Sequence, residues 1–148
     1  MNHLKVLIFA AVLFVGMTAC KNEASSNKPT AESKKALADT ANYTTVQWLD
    51  SIYNFGTVTK GEQVKMVFRC KNTGEKPLII SQARPGCGCT VADFTKNAIP
   101  PGGTGEVTGV FDSNRGSGMV HKSIFVVTNT KHNTEHILIF NGEIKEKS

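Results

Sequence analysis

The stretch Gln63-Val64-Lys65-Met66-Val67-Phe68-Arg69-Cys70-Lys71 decides the fold of this chain. Apolar side chains occupy every second position from Val64 to Cys70, and Lys65, Arg69 and Lys71 fall on the opposite side. Because successive side chains of a β-strand point to opposite faces, this period of two predicts a strand with one buried and one solvated face. Cys70 belongs to the apolar side, so we expect its thiol to be buried in the core.

Other runs of β-forming residues lie on both sides of this strand. They are Thr45–Leu49, Ile52–Val58, Leu78–Ala83, Thr104–Phe111, Met119–Thr128 and Glu135–Ile144. Turn-forming segments separate them, at Asn72–Pro77, Pro100–Gly103 and Asn129–Asn133, and no segment shows a sustained helical period. About seven short strands in roughly a hundred residues predict a single immunoglobulin-like antiparallel β-sandwich, with a small barrel as the alternative.

The last two predicted strands are apolar on both faces, in Ile124–Val127 and in Ile137–Phe140. We expect them to be central strands whose second face is covered by a loop or by the first strand. An exposed second face would instead be a surface for binding a partner.

The first 19 residues have the composition of a secretory signal peptide. Lys5 supplies one positive charge, and Val6–Val15 is wholly apolar but shorter than the ~20 residues of a membrane-spanning helix. Met17-Thr18-Ala19-Cys20 then resembles the lipobox of bacterial lipoprotein precursors, with Met17 in place of the usual Leu. The resemblance implies cleavage before Cys20 and a diacylglyceryl group on its thiol. Soluble secretion with an ordinary Cys20 and an uncleaved anchor are the alternatives.

Residues 20–44 are predicted to be the lipidated cysteine and a flexible tether, and residues 45–148 the folded domain. Lys21–Asn42 is rich in Ser, Asn, Lys, Thr and Ala, and a coil of about 22 residues has a root-mean-square span of about 25 Å. Two lipid chains hold a protein stably on a bilayer. Since Lys21 rather than Asp follows Cys20, the enteric-type sorting rule favours the outer membrane. The predicted location is therefore the bacterial cell envelope, on either face of that membrane.

Charge and missing motifs restrict the class of function. The chain has 17 basic and 12 acidic residues, and removing Lys5 with the leader leaves 16 − 12, or +4. This mild and scattered charge does not predict nucleic-acid binding. The chain contains no Gly-x-Ser-x-Gly, Walker, dinucleotide-binding or His-Glu-x-x-His motif, so we expect no enzyme.

Short motifs of one known family occur in order along the chain. They are Tyr53–Val58, Gly61-Glu62, Phe68–Gly74, Pro77-Leu78, Cys87-Gly88-Cys89-Thr90, Ile99–Gly102 and Phe111–Ser113. As a set they resemble the bacterial domain-of-unknown-function family fifteen-seventy-three, over roughly Val46 to Ile144. Cys70 departs from that pattern, since an aromatic or aliphatic residue is expected there. The resemblance implies an immunoglobulin-like domain similar to PapD-like and ASH/Hydin modules, often in a lipoprotein, and implies no settled activity.

Cys87-Gly88-Cys89 is the one local set of residues with possible chemistry. In an extended strand the two cysteines would lie about 6.6 Å apart on one face, with nearly parallel Cβ directions. A disulfide needs Cβ atoms about 3.5–4.5 Å apart, so it would require a tight bend at Gly88, and such a strained bond would be easily reduced. Two unbonded thiols packed under a turn are the favoured interpretation. Redox exchange is disfavoured, because the spacing is not Cys-x-x-Cys and no helix follows.

The same two cysteines could instead form a thiolate site for Cu(I) or Zn. A closed zinc site needs four ligands, and His3 is removed with the signal peptide. The further candidates are Cys70 and three histidines that we expect to be solvated surface residues, His121, His132 and His136.

Together these patterns predict a lipid-anchored, non-catalytic module that binds an envelope protein or glycan by strand addition at an open sheet edge or through loops at one end. Copper binding by Cys87 and Cys89 is the alternative function, and an envelope hydrolase is the third. No other cofactor is expected.

Overall fold

Eight β-strands and two short 3₁₀ turns make up residues 40–147, the part of the chain that the computed structural model describes. The strands are β1 Val46–Trp48, β2 Ile52–Thr59, β3 Gln63–Asn72, β4 Ile80–Pro85, β5 Thr90–Phe94, β6 Thr104–Asp112, β7 Gly118–Thr128 and β8 Glu135–Lys145. The 3₁₀ turns are Thr40–Asn42 and Ser113–Arg115. The signal peptide, the lipid attachment at Cys20 and the tether up to residue 39 lie outside the described residues.

The strands form two four-stranded sheets. The first sheet has the order β1-β3-β6-β5 and is antiparallel throughout. The second sheet has the order β2-β8-β7-β4, and in it β2 runs parallel to β8 while the other pairs are antiparallel. The predicted β-sandwich is confirmed.

The stretch that decided the fold is β3, a central strand of the first sheet. Val64, Met66, Phe68 and Cys70 are buried, and Lys65 and its neighbours of the same parity face outward. The strand pairs with β6 from Gln63 opposite Asp112 to Lys71 opposite Thr104. The burial predicted for Cys70 is confirmed, because its side chain is 0% exposed, and this burial raises the pKa of its thiol.

The structure differs from the predicted architecture in two respects. The strand β5 was not predicted: its inward residues, Thr90 and Ala92, are small, so its alternation gives little hydrophobic signal. The parallel pairing of β2 with β8 was not predicted either, because strand direction depends on which strands become neighbours. No helix in residues 40–147 is both long and apolar enough to cross a membrane.

Buried aromatic rings fill the space between the sheets. Phe68, Phe111 and Phe140 are each fully buried, and the ring centroids of Phe111 and Phe140 lie 5.5 Å apart. Tyr53 and Phe55 of β2 add an edge contact on Phe68 at 6.3 Å and a tilted contact on Phe111 at 6.0 Å. These contacts fix β2 against the core with its alternate residues facing outward.

Asn72 closes the end of the sandwich at which the described chain begins. Its side chain is 0% exposed and satisfies all four of its hydrogen-bonding positions. Its Oδ1 accepts from Oγ1 of Thr44 (2.8 Å) and from the backbone N–H of Gly74 (3.1 Å). Its Nδ2 donates to the carbonyl oxygens of Lys76 (2.8 Å) and Ile99 (2.9 Å). One side chain thus ties three loops together.

Asn129 acts in the same way between β7 and β8. Its Nδ2 donates to the carbonyl oxygens of Asn42 and Pro77, both at 2.9 Å, and its Oδ1 accepts from the N–H of Ile79 at 2.7 Å. We call this part of the molecule, around Asn72 and Asn129, the amide end.

Candidate functional site

The outer face of the second sheet carries apolar side chains. The pairing places Ile52 of β2 beside Ile139 of β8, and Phe125 of β7 beside Ile137 of β8. Ile52 is 64% exposed and Ile137 is 54% exposed, while Phe125 and Ile139 are half-buried. Ile52, Phe125, Ile137 and Ile139, with the half-buried Val127, form what we call the apolar face. The expectation that a loop or the first strand covers this side is wrong, because β1 joined the other sheet.

A groove of about 510 Å³ lies on the same side of the second sheet, directly beyond the apolar face. A bulge in β2 between Asn54 and Thr57, with Gly56 at φ 69°, opens the sheet there. Asn54, Asn141 and His121 form one row across the groove, and Met119, which is 82% exposed, lies at its rim.

The side-chain amides of Asn54 and Asn141 in the groove differ in their hydrogen bonds. Oδ1 of Asn54 accepts a hydrogen bond of 2.8 Å from the N–H of Gly56. Oδ1 of Asn141 is buried and has no donor among the described residues. Buried polar atoms are normally hydrogen-bonded, so this oxygen is an exception among the residues of the groove.

The outer face of the first sheet has a different character. Lys65 and Lys71 project from it, and between them Arg69 lies opposite the exposed Glu106 of β6. Arg69 donates from Nε to Oδ2 of Asp50 at 2.6 Å. This hydrogen bond holds the pKa of the Asp50 carboxyl below its usual value and raises that of the Arg69 guanidinium. This face is thus rich in charged side chains, with Val91 of β5, which is 73% exposed, as an apolar exception.

Cys87 and Cys89 form a disulfide at the opposite end of the molecule from Asn72 and Asn129. Their Cα atoms are 5.3 Å apart, shorter than the separation in an extended strand. The favoured interpretation, two unbonded thiols, is wrong for this structure. Strand β4 ends at Pro85, and the chain turns through Gly86 and Gly88 instead of continuing straight. This turn brings the two sulfur atoms together.

Arg115 and Thr90 lie beside the disulfide; Thr90 belongs to the motif quoted above, whereas no pattern in the sequence singles out Arg115. Nη1 of Arg115 donates to the carbonyl oxygen of Gly88 at 3.1 Å. Oγ1 of Thr90 is 3.7 Å from Sγ of Cys87 and 4.0 Å from Sγ of Cys89. Arg115 follows β6 and the cysteines precede β5, so only the pairing of these two strands brings them together.

Ser113 fixes the same end of the sandwich. Its hydroxyl is buried, accepts from the N–H of Gly61 at 2.9 Å and donates to the carbonyl oxygen of Thr59 at 3.3 Å. This links the β6–β7 loop to the β2–β3 turn. We call the region of the disulfide, Ser113 and Arg115 the disulfide end.

The described residues do not bring together the ligands of the predicted metal site. Within residues 40–147, no three His, Cys, Asp or Glu side chains are grouped so as to hold an ion. A disulfide also presents no thiolate, so a Cu(I) or Zn site at Cys87 and Cys89 would first require its reduction. Cys70 lies inside the core on β3, remote from the pair in the strand register.

The three histidines lie in separate places. His121 lines the groove and His132 lies in the β7–β8 loop, and both are exposed, as predicted. The prediction is wrong for His136, which faces inward at the amide end. Its Nε2 lies 3.0 Å from Oγ1 of Thr128, its ring lies 5.8 Å from that of Trp48, and burial lowers its pKa.

The sheet orders and the family comparison identify the class of protein. One sheet of four strands faces another in which β2 runs parallel to its neighbour β8, and the two form an immunoglobulin-like β-sandwich. The chain belongs to the family described as "Protein of unknown function (DUF1573)", whose model matches residues 46–144. No curated protein matches the chain.

Solved structures share the fold at low identity. A protein of unknown function from Porphyromonas gingivalis W83 superposes with a TM-score of 0.62 at 17% identity, covering 71% of this chain and 49% of that chain. The ASH/PapD-like domain 7 of human CEP192 gives 0.53 at 17% identity, covering 72% and 89%. The VesB protease of Vibrio cholerae gives 0.55 at 12% identity, covering 74% and 34%. This chain therefore spans about half the length of the Porphyromonas gingivalis protein and about a third of the VesB protease. These similarities concern the fold alone.

Proposed function

We propose that this chain is a non-catalytic binding module that is anchored to the bacterial cell envelope through a lipid on Cys20. The apolar face would bind an envelope protein. The proposal rests on the exposure of Ile52 and Ile137, which lie on the neighbouring strands β2 and β8. The outer side of the other sheet is rich in charged side chains instead. Contiguous apolar patches of this kind mark protein interaction sites.

The energetics favour a protein as the occupant of this face. Burying apolar surface contributes roughly 25 cal/mol per Å², so branched and aromatic side chains are the groups that a partner would cover. Beside them, the groove is lined by polar side chains, among them Asn54, His121 and Asn141. An apolar centre next to a polar groove is typical of protein interfaces. A glycan is the other predicted partner, and it would need the polar groove more than the apolar face.

The apolar face is a better candidate for the binding surface than the sheet edges, where the sequence predicted that a partner would add a strand. Strands β2 and β4 are interrupted by bulges, and β4 ends in Pro85, which has no N–H to donate. Strand β1 has three residues and β5 has five. Bulges, proline and short length are features that hinder pairing with another chain at an edge.

The binding proposal is tested by photocrosslinking in intact cells. A benzophenone amino acid is placed at Ile137 on the apolar face and, as the matched control, at Lys65 on a central strand of the other sheet. We expect discrete protein adducts from position 137 and about tenfold fewer from position 65. Equal crosslinking from the two positions, or adducts with glycan alone at position 137, would overturn the assignment of the apolar face to a protein.

The anchor is tested separately by Cys20→Ser. Lipid chains contribute about 0.8 kcal/mol per buried CH2, so their loss should release the protein from membranes. We expect the wild-type chain in the membrane fraction and the variant in the soluble fraction. A wild-type chain that is as soluble as the variant would contradict lipid anchoring without affecting the apolar face.

A further inference from the structure

The disulfide end of the molecule presents a reactive group that the binding face does not use. Cys87 is half-buried, whereas Cys89 is only 9% exposed. A Cβ atom built on Gly88, between them, would meet no heavy atom within 4 Å. Cys87 packs in part against the core, so a second chain would reach its sulfur from the exposed side, over an open glycine, while Cys89 is shielded.

The fold does not depend on this bond as a staple. A disulfide stabilises mainly by closing a loop in the unfolded chain, and its effect grows with the length of that loop. Cys87 and Cys89 are separated by one residue, so the loop is nearly as short as a disulfide can close. Backbone pairing already holds this region, since the N–H of Asp112 donates to the carbonyl oxygen of Cys89 at 2.9 Å. Reduction would leave these contacts intact.

The surroundings favour the thiolate that opening of the bond would produce. The hydroxyl of Thr90 lies near both sulfur atoms and can rotate to donate to either. The guanidinium of Arg115 is fixed at Gly88, and a cation beside a cysteine stabilises its thiolate. Oδ2 of Asp112 lies 3.6 Å from Nε of Arg115, so the two form an ion pair at the surface, where solvent screens both charges.

We propose that Cys87–Cys89 is a thiol–disulfide exchange site whose substrate is a dithiol protein of the cell envelope. A partner thiolate attacks Sγ of Cys87, the bond between the two sulfur atoms breaks, and the electron pair leaves on Sγ of Cys89, which then takes a proton. The second thiol of the partner, deprotonated, attacks the mixed disulfide and releases Cys87, which is protonated in turn. The partner is oxidised to its disulfide, and Cys87 and Cys89 are reduced to thiols. The exchange site is independent of the apolar face and of the lipid.

Cys70 is an internal control for unfolding when reduction of the Cys87–Cys89 disulfide is tested. Full-length protein carrying Cys20→Ser is incubated with dithiothreitol in native buffer, quenched with N-ethylmaleimide at intervals and analysed by mass spectrometry. We expect Cys87 and Cys89 to be labelled within minutes, while Cys70, fully buried, stays unlabelled. Labelling of the pair only at the rate at which Cys70 is labelled would show that reduction requires unfolding, and this would overturn the proposal.

Two variants that each lack one cysteine of the pair, both also carrying Cys20→Ser, test which sulfur is attacked. In Cys89→Ser the thiol of Cys87 remains, and in Cys87→Ser that of Cys89 remains. We expect 5,5′-dithiobis(2-nitrobenzoate) to react about tenfold faster with the first variant, because the thiol of Cys87 is the more accessible. Equal rates, or a faster Cys89, would overturn the assignment of Cys87 as the attacked atom.

Arg115 variants test the role of its charge. Arg115→Gln should slow reduction of the disulfide about two- to fivefold, as expected for one partly screened charge, and Arg115→Lys should restore most of the rate. A matched Lys131→Gln variant, in the exposed β7–β8 loop at the amide end, should leave the rate unchanged. Equal rates of disulfide reduction in the wild type and in all of these variants would show that Arg115 takes no part in the exchange site.

Discussion

The two ends of the sandwich are tied in different ways. At the amide end, Asn72 and Asn129 hold several loops through hydrogen bonds to the backbone, and both side chains are completely buried. At the disulfide end, a covalent bond closes one short loop at the surface, and Ser113 rather than the bond connects neighbouring segments. The comparison teaches that the covalent link at one end contributes less to the fold than two amides at the other. Four variants can break or sharpen this comparison.

Asn72→Ala should produce the largest effect. It removes four side-chain hydrogen bonds, and the hydroxyl of the buried Thr44 loses its acceptor. We expect the free energy of unfolding to fall by about 3–5 kcal/mol, measured by urea denaturation. The neighbouring Lys71→Ala, on the exposed side, should change it by less than about 0.5 kcal/mol. A loss below about 1 kcal/mol for Asn72→Ala would contradict the importance of the amide end.

Ser113→Ala should have the next largest effect. The change leaves the N–H of Gly61 and the carbonyl of Thr59 without their side-chain partner, and we expect a loss of about 1–3 kcal/mol. Ser117→Ala, on an exposed neighbour, is the control and should be near neutral. If both variants unfold at the wild-type urea concentration, Ser113 does not hold the disulfide end.

Replacing both Cys87 and Cys89 by serine should have a smaller effect. Loop-closure entropy for so short a loop predicts a loss of about 1.5 kcal/mol or less. Denaturation of the double variant and of the oxidised wild type, each with Cys20→Ser, measures the difference. A loss above about 3 kcal/mol would mean that the bond is a structural staple after all, and the contrast between the two ends would disappear.

His136 should give the smallest effect, and one that depends on pH. Burial lowers the pKa of its imidazole in the folded chain, so the unfolded chain binds the proton first as the pH falls. The stability due to neutral His136 is therefore complete above the unfolded pKa of about 6.5 and is lost progressively below it. His136→Gln should reduce the change in urea midpoint between pH 7.5 and pH 5. His132→Gln, in the exposed loop, should keep the wild-type change, and equal slopes for both variants would refute the burial argument.

The sequence predicted the features that depend on alternation along one strand. The pattern from Val64 to Cys70 was sufficient for β3 and for the burial of Cys70. Alternation did not reveal β5, whose inward residues are small, and it could not predict that β2 runs parallel to β8. The second face of β7 and β8 was read correctly as apolar but wrongly as covered, since Ile137 is exposed.

The candidate site depended on contacts between distant segments and was less predictable. Asn72 and Asn129 were interpreted as turn residues, although both are buried and bind other loops. Cys87-Gly88-Cys89 was selected correctly as the unusual motif, but its two cysteines were expected to be unbonded thiols under a turn and form a disulfide instead. Arg115 could not be placed beside it without the pairing of β5 with β6. The lipid on Cys20 stays a prediction.

The parallel pairing of β2 with β8 has a mechanical consequence. Both strands run from the amide end toward the disulfide end, so the chain before β2 leaves toward one end and the chain after β8 leaves toward the other. A force that pulls on the two termini loads this pair in shear, and its hydrogen bonds from Ile52 to Thr59 must rupture together rather than one at a time. The three-residue strand β1 would detach before the hydrogen bonds between β2 and β8 break. Its release would lengthen the chain without unfolding the domain. The domain would therefore resist stretching between its two termini.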